Sequence, residues 1–316
     1  MIPPLAVTMG DPDGIGPEIA AKLWRKKRAA GLRFFVVGDL EVLERQAPIA
    51  SIADPVEVKE VFENALPVLP IAGATKADRV IAAIDKAAAL AMTGKASGMV
   101  TNPIHKAGLY AAGFRDPGHT EYLARITRAK SRPVMMLAIP VLRVVPATIH
   151  IPLAQVPSQI SQPLLLETAM TLSNSLTRDF GCMAPKIAIA GLNPHAGESG
   201  QIGTEEETII KPAIAAMRAE NIDAAGPFPA DSLFHEAARA RFDAILCMYH
   251  DQALIPLKTL DFAHGVNVTL GLDIVRTSPD HGTAFDIAGT GTANPDSLIA
   301  AIDLADLMAR NRHAAG

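Results

Sequence analysis

Three histidines follow apolar runs of strand-like composition: His150 after Val144 to Ile149, His195 just after Ile187 to Leu192, and His250 after Ala244 to Tyr249. In open α/β sheets ligands gather outside the carboxyl ends of the strands, so three imidazoles delivered there can converge on one ion. Three neutral nitrogens leave coordination positions open to substrate oxygens, which a catalytic metal site requires. The plainer reading makes each an unrelated loop or core histidine. One pattern occurring three times favours the set. The chain has neither HExxH nor a cysteine pair at metal-ligand spacing, so no motif fixes the ion.

Four further segments could hold an anion or a cofactor. The stretch from Gly10 to Glu18 lies between a strand-like run and a helix-like run, with Pro17 suited to the first helical turn. It departs from GxGxxG, and a tight turn without a ligand explains it equally well. Gly118, His119, Thr120 and Glu121 mark a helix start whose backbone N–H groups can meet an anion or simply be capped. Lys258, Asn267 and Arg276 offer two cations and an amide to a phosphate or carboxylate, or they are solvated surface groups. The run from Asp280 to Gly289 has small residues that would admit a flat ring or a ribose, with helix capping as the alternative.

Elements that could position these groups are legible in the periodicity. Strand-like runs at Leu5 to Thr8, Phe34 to Val37, Gly98 to Thr101, Lys186 to Ala190 and Ala244 to Met248 alternate with helical stretches such as 77–92 and 205–217. The alternation predicts an α/β protein with a mostly parallel sheet. Thr204 followed by Glu207 reads as a capping box, and Glu205 and Glu206 read as acids serving a helix dipole rather than as ligands. Two lobes are expected, 1–125 with 266–316 and 126–265, entered by short crossings because no Ser/Gly linker is present.

Composition removes several classes. The chain has 316 residues, 49% of them hydrophobic, enough for a substantial core. Its 29 basic and 33 acidic residues leave a net charge of −4 with no basic block, so no nucleic-acid partner is expected. Met1 to Pro4 lack a basic region and a long apolar run, and the apolar run from Val134 to Leu142 is broken by Pro140. No membrane association is therefore expected. Cys182 and Cys247 lie in apolar surroundings, which suits buried thiols in a reducing, cytoplasmic compartment.

Taken together, the motifs GDPDGIGPEIA, TNPIHKAGL, PGHTEYLA, LNPHAGESG, MYHDQALIPLK and GVNVTLGLDIVRTSPDHGTAFDIAG occur in the order found in the 4-hydroxythreonine-4-phosphate dehydrogenase family. The chain resembles that family over nearly its whole length. GIGPE and HGTAFDIAGTGTANP also resemble segments of isocitrate and isopropylmalate dehydrogenases, which implies their two-lobed fold rather than a Rossmann domain. The resemblance implies that His150, His195 and His250 bind one divalent metal (zinc, cobalt or magnesium), and that His119, Thr120, Lys258, Asn267 and Arg276 contact a small phosphorylated hydroxy amino acid. It implies NAD or NADP as hydride acceptor, with His281, Gly282, Thr283 and Asn294 expected on the cofactor's adenine side. It also implies a homodimer with a shared active site that takes histidines from both subunits, the dimer interface lying in the second lobe. Asp13 departs from the alanine usual in the biosynthetic enzymes.

The expected reaction is oxidation of 4-phosphooxy-L-threonine to 2-amino-3-oxo-4-phosphooxybutanoate, which loses carbon dioxide to give 3-amino-2-oxopropyl phosphate in pyridoxal phosphate biosynthesis. Asp251 is the expected proton acceptor, with support of the neighbouring histidine as its other reading. Relatives acting on 4-phospho-D-threonate, 4-phospho-erythronate or an aromatic cis-dihydrodiol share these motifs. A metal-dependent hydrolase or lyase would use the same histidines and cations without a nicotinamide, and a binding protein would need no metal.

Overall fold

The computed structural model describes residues 2–111, 115, 116 and 118–315. The chain forms two compact units, Met1–Ala129 with Leu272–Gly316, and Lys130–Gly271.

The first unit is built on parallel strands β1 (Leu5–Thr8), β2 (Phe34–Gly38), β3 (Ile49–Ser51), β4 (Leu66–Pro70), β5 (Met99–Thr101) and β12 (Arg276–Pro279). Their order is β3-β4-β2-β1-β5-β12. β1 and β2 are buried throughout, as expected of central parallel strands covered on both faces, whose sequences read as unbroken apolar runs. The helix Lys76–Met92 begins where the Thr75 hydroxyl accepts the Asp78 N–H and the Asp78 carboxylate accepts the Thr75 N–H. This reciprocal cap satisfies two otherwise orphaned donors. Val80, Ala83, Ile84 and Ala87 recur at helical spacing and form its buried face. Trp24, on the helix Gly16–Lys27, is buried and donates its ring N–H to the Phe62 carbonyl at 2.7 Å.

The second unit carries β6 (Val134–Ile139), β7 (Leu142–Thr148), β8 (Lys186–Ala190), β9 (Asp223–Phe228), β10 (Ala244–Tyr249) and β11 (Val266–Leu270). Their order is β11-β6-β7-β10-β8-β9. β7, β10, β8 and β9 run parallel, whereas β6 is antiparallel to both of its neighbours here. The helix Gln162–Phe180 is capped at its start by the Ser161 hydroxyl and stopped by Gly181 at φ +70°. It buries Leu165, Ala169, Leu172 and Leu176. Leu137, Val144, Ala188, Ile245, Cys247 and Leu257 belong to one core cluster of this unit.

The boundaries fall a few residues beyond those read from the sequence, because residues 266–270 pair with β6. The helix expected over 205–217 instead begins as a π turn at Glu206–Ile210 before continuing as Lys211–Ala219. No side chain caps it at Glu205; Glu205 and Glu206 reach back to Asn193 instead. Cys182 and Cys247 are free thiols, and burial pushes the Cys247 thiol far above its ordinary value. Among the described residues, no helix is long and apolar enough to cross a membrane.

Candidate active site

In the second unit, the parallel pairing of β7 with β10 sets Thr148 beside Tyr249, so the residues that follow deliver His150 and His250 to the same sheet end. Their ring centroids are 5.8 Å apart. Both line a cavity of about 240 Å³ with Thr148, Tyr249 and Asp251. His250 opens the helix His250–Leu260, and its Nδ1 lies 2.7 Å from the Asp251 carboxylate. A carboxylate on Nδ1 favours the tautomer whose Nε2 lone pair is available to a ligand. His150 itself sits at φ +52°, a conformation that a non-glycine residue keeps only when its surroundings hold it there.

His195 follows β8, which flanks β10 on the other side. It opens a left-handed turn in which His195, Ala196, Gly197, Glu198 and Ser199 all have φ between 41° and 77°. Four of these residues are not glycine, so at about 1–2 kcal/mol each the turn carries roughly 4–8 kcal/mol of conformational cost. Opposing it is Glu206, whose fully buried carboxylate accepts the N–H groups of Leu192 at 2.8 Å and Asn193 at 2.7 Å. It also accepts the Asn193 side-chain amide at 2.9 Å. Three hydrogen bonds to a buried charge are worth about 1.5–3 kcal/mol each, the same order as the cost they offset.

Gln252 completes this sheet end. Its amide oxygen accepts the Met248 N–H, and its amide nitrogen donates to the Gly191 carbonyl, both at 2.7 Å. The Thr148 hydroxyl donates to the Met248 carbonyl at 2.8 Å. Side chains thus tie together the ends of β7, β10 and β8, from which all three histidines emerge. Among the described residues, however, no three His, Cys, Asp or Glu groups stand close enough to hold a metal ion. His150, His250 and Asp251 are brought together; His195 is held on the adjoining strand end but does not close the set.

Lys258 lies eight residues along the helix from His250, roughly 12 Å at 1.5 Å per residue. It shares a shallow depression with His250, Asp251 and Leu254. Its ammonium lies 5.6 Å from the Phe262 ring centroid. Asn267 pairs with Leu137, which faces Val144. Thr148 is four residues, roughly 13 Å, further along β7. Asn267 and the histidines therefore occupy opposite ends of this sheet. The Asn267 amide oxygen is buried with no hydrogen-bond partner among the described residues, a cost that a ligand donor would remove.

The other expected groups lie in the first unit. Arg276 opens β12, is 3% exposed, and donates to the Thr101 hydroxyl at 2.7 Å. Burial lowers its pKa to about 10 against the opposing influence of Glu121, so it remains a cation at neutral pH. His119 and Thr120 begin the helix His119–Ile126 behind Gly118; the His119 side chain lies outside the described residues. The opening glycine loop and the later small-residue run meet, for the Ile15 N–H donates to the Thr283 carbonyl at 3.0 Å. His281 has its Nδ1 3.1 Å from the Gly282 carbonyl, and its buried Nε2 has no partner among the described residues. Asn294 instead accepts the Asp296 N–H at the start of the helix Asp296–Ala315, the capping role that is common for asparagine. Asp13 is ion-paired to Lys76 at 2.6 Å in an exposed position.

Sequence reading missed Glu206 and Gln252. Both acquire their roles through bonds to strand ends distant in sequence or to a turn whose conformation no local pattern announces.

The chain is 50% identical to the 4-hydroxythreonine-4-phosphate dehydrogenase of Caulobacter vibrioides, over 98% of each chain. Among solved structures, the 4-hydroxythreonine-4-phosphate dehydrogenase of Klebsiella pneumoniae matches with a TM-score of 0.87 and 38% identity, over 97% of this chain and 99% of that one. A β-decarboxylating dehydrogenase from Thermococcus kodakarensis shares the fold, with a TM-score of 0.50 and 15% identity over 98% of this chain and 87% of that one. The profile described as pyridoxal phosphate biosynthetic protein PdxA matches residues 31–305, and with these similarities running almost end to end the chain belongs to the PdxA family.

Proposed function

We propose that the protein oxidises 4-phosphooxy-L-threonine at C3 with NAD or NADP, yielding 2-amino-3-oxo-4-phosphooxybutanoate, in pyridoxal phosphate biosynthesis. The observation that carries this reading is the His150–His250 pair, braced by Asp251 in one cavity, in a chain half identical to an enzyme named for that substrate. Three imidazoles suit a divalent ion, with His195 as the third ligand supplied by the second copy, because among the described residues of one chain it does not close the set with His150 and His250. Imidazole nitrogens favour zinc or cobalt, and an oxygen-rich substrate would help magnesium. Such an ion supplies Lewis acidity where negative charge develops on the substrate.

The chain's own residues do the positioning. Lys258, Arg276 and Asn267 bind the phosphorylated end of the substrate, with His119 and Thr120 assisting, and so fix C3 for hydride loss. Asp251 takes the C3 hydroxyl proton while holding His250. The segment His281 to Thr283, packed on the glycine loop, receives the nucleotide; its orphaned His281 nitrogen would gain a partner there. Asn294, which caps the helix Asp296–Ala315, contributes on the adenine side. The product is a β-keto acid and releases carbon dioxide to leave 3-amino-2-oxopropyl phosphate.

A homodimer is part of the proposal. Within the second unit the imidazoles and Asn267 lie at opposite sheet ends, whereas the substrate's C3 is adjacent to the carbon bearing its phosphate. That separation supports a site completed by a second copy. Leu153, Ile255 and Phe262, each more than 60% exposed near the histidine-bearing strand end and its helix, offer an apolar surface for it.

The test is NAD(P)H formation with 4-phosphooxy-L-threonine, 4-phospho-D-threonate and a cis-dihydrodiol, with and without a chelator and with zinc, cobalt or magnesium restored. Chelator-sensitive turnover preferring the first substrate is expected. Preference for another moves the pathway, and no nicotinamide reduction with any of them rejects the dehydrogenase reading.

A further inference from the structure

Glu206 is a fully buried carboxylate to which the proposed chemistry assigns no task. Sequence patterning makes it a helix-dipole acid, yet its side chain points back out of its own π turn toward the segment before His195. One carboxylate oxygen accepts both the Leu192 and Asn193 N–H groups, and the other accepts the Asn193 amide, whose nitrogen also donates to Glu205 at 2.8 Å. Asn193 is the last residue with extended backbone before Pro194 and the left-handed turn. The bonds therefore clamp the point at which the chain reverses hand.

Two glycines show that the surroundings are shaped around this clamp. A Cβ on Gly197, at φ +77°, would lie 2.6 Å from a Glu206 carboxylate oxygen. A Cβ on Gly203, at φ +99°, would lie 2.3 Å from the Asn193 amide nitrogen. Any side chain at either position would displace one partner of the clamp. Both positions also require the left-handed region that glycine adopts without strain.

We propose that Glu206 is the positioning residue for His195: by fixing Leu192 and Asn193 it holds the left-handed turn that presents this imidazole to the metal. The inference rests on His195 being a ligand, as set out above. Groups that orient a ligand without touching the ion affect metal affinity by about 10–100-fold. Glu206 would act in this way through the backbone rather than through the ring.

The experiment is cobalt(II) titration of the full chain after metal removal, following both affinity and the visible absorption of the bound ion, for wild type, Glu206→Ala, Glu206→Gln, Gly197→Ala and His195→Ala. Circular dichroism and thermal melting accompany each titration. Glu206→Ala is expected to weaken cobalt binding by about 10–100-fold and to alter the absorption, which reports coordination geometry and would not respond to a merely stabilising residue. Glu206→Gln retains an acceptor for the two backbone N–H groups and should recover most of the affinity. It also supplies the test should the alanine variant fail to fold, with a smaller loss of affinity and a correspondingly smaller spectral change. Gly197→Ala should resemble Glu206→Ala. Wild-type affinity and absorption in the folded Glu206 variants, beside lost binding in His195→Ala, would overturn the positioning role alone. Wild-type binding in His195→Ala would overturn the ligand assignment, and the positioning role with it.

Discussion

Asp251 and Lys258 carry the sharpest expectations for single residues. The Asp251 carboxylate is 2.7 Å from His250 Nδ1, so its replacement removes both a proton acceptor and the group that sets the imidazole tautomer. Asp251→Asn should lower kcat by roughly 100-fold at saturating metal, the range for loss of general-base catalysis. If steady-state kinetics show full kcat with only weakened metal binding, the residue supports His250 and does not take the proton. Lys258→Ala should raise KM and lower kcat/KM by 10-fold or more, because a bound phosphate also positions the reacting carbon; an unchanged kcat/KM would remove Lys258 from the substrate site. The histidines were visible in the sequence because each follows an apolar run that ends a strand. Gln252 was not, since its partners Met248 and Gly191 lie at the ends of different strands, and only folding reveals that it joins them.

At the scale of elements, the helix Gly16–Lys27 acts as a clamp on the loop before the C-terminal helix. Glu18 accepts the Ala293 N–H at 2.9 Å and the Gly291 N–H at 3.3 Å, while Lys22 donates to both carbonyls and to Glu18. Burial by itself would raise the Glu18 carboxyl pKa, but Lys22 and these N–H groups outweigh it and hold the group below the ordinary carboxylate value. A depressed folded-state pKa contributes stability that is present above the unfolded pKa, about 4.3, and is lost as pH falls through the folded value. Thermal melting should therefore show Glu18→Gln less stable than wild type at pH 7, with the difference shrinking as pH drops below about 4. A pH-independent difference would mean that the carboxylate's charge contributes nothing. The capping box at Thr75 and Asp78 follows the local rule that failed at Thr204. Local propensity governed the helix whose first-turn acid, Asp78, bonds back to its own cap, and it yielded where buried Glu206 found distant partners.

For the whole molecule, the decisive expectation is that the histidines of one metal site come from both copies of the chain, since among the described residues His195 does not close the set with His150 and His250. Equal mixing of inactive His250→Ala and His195→Ala chains, with subunit exchange, should restore roughly a quarter of wild-type activity, because half the dimers are mixed and each holds one intact site. No recovery in exchanged mixtures would place the complete site in one chain. Charging the apolar surface with Ile255→Glu and Phe262→Glu should shift the sedimenting species to monomer and abolish turnover; an active monomer would refute the shared site. The sequence by itself determined the α/β class, about half of the strands, the three strand-end histidines and the family, because hydrophobic periodicity and contiguous motifs are local and survive without coordinates. Only the tertiary structure decided that residues 266–270 pair with β6, that Asn267 stands away from the histidines, and that Glu206 braces a left-handed turn. Each depends on register or on hydrogen bonds between distant segments, which the order of residues constrains but does not display.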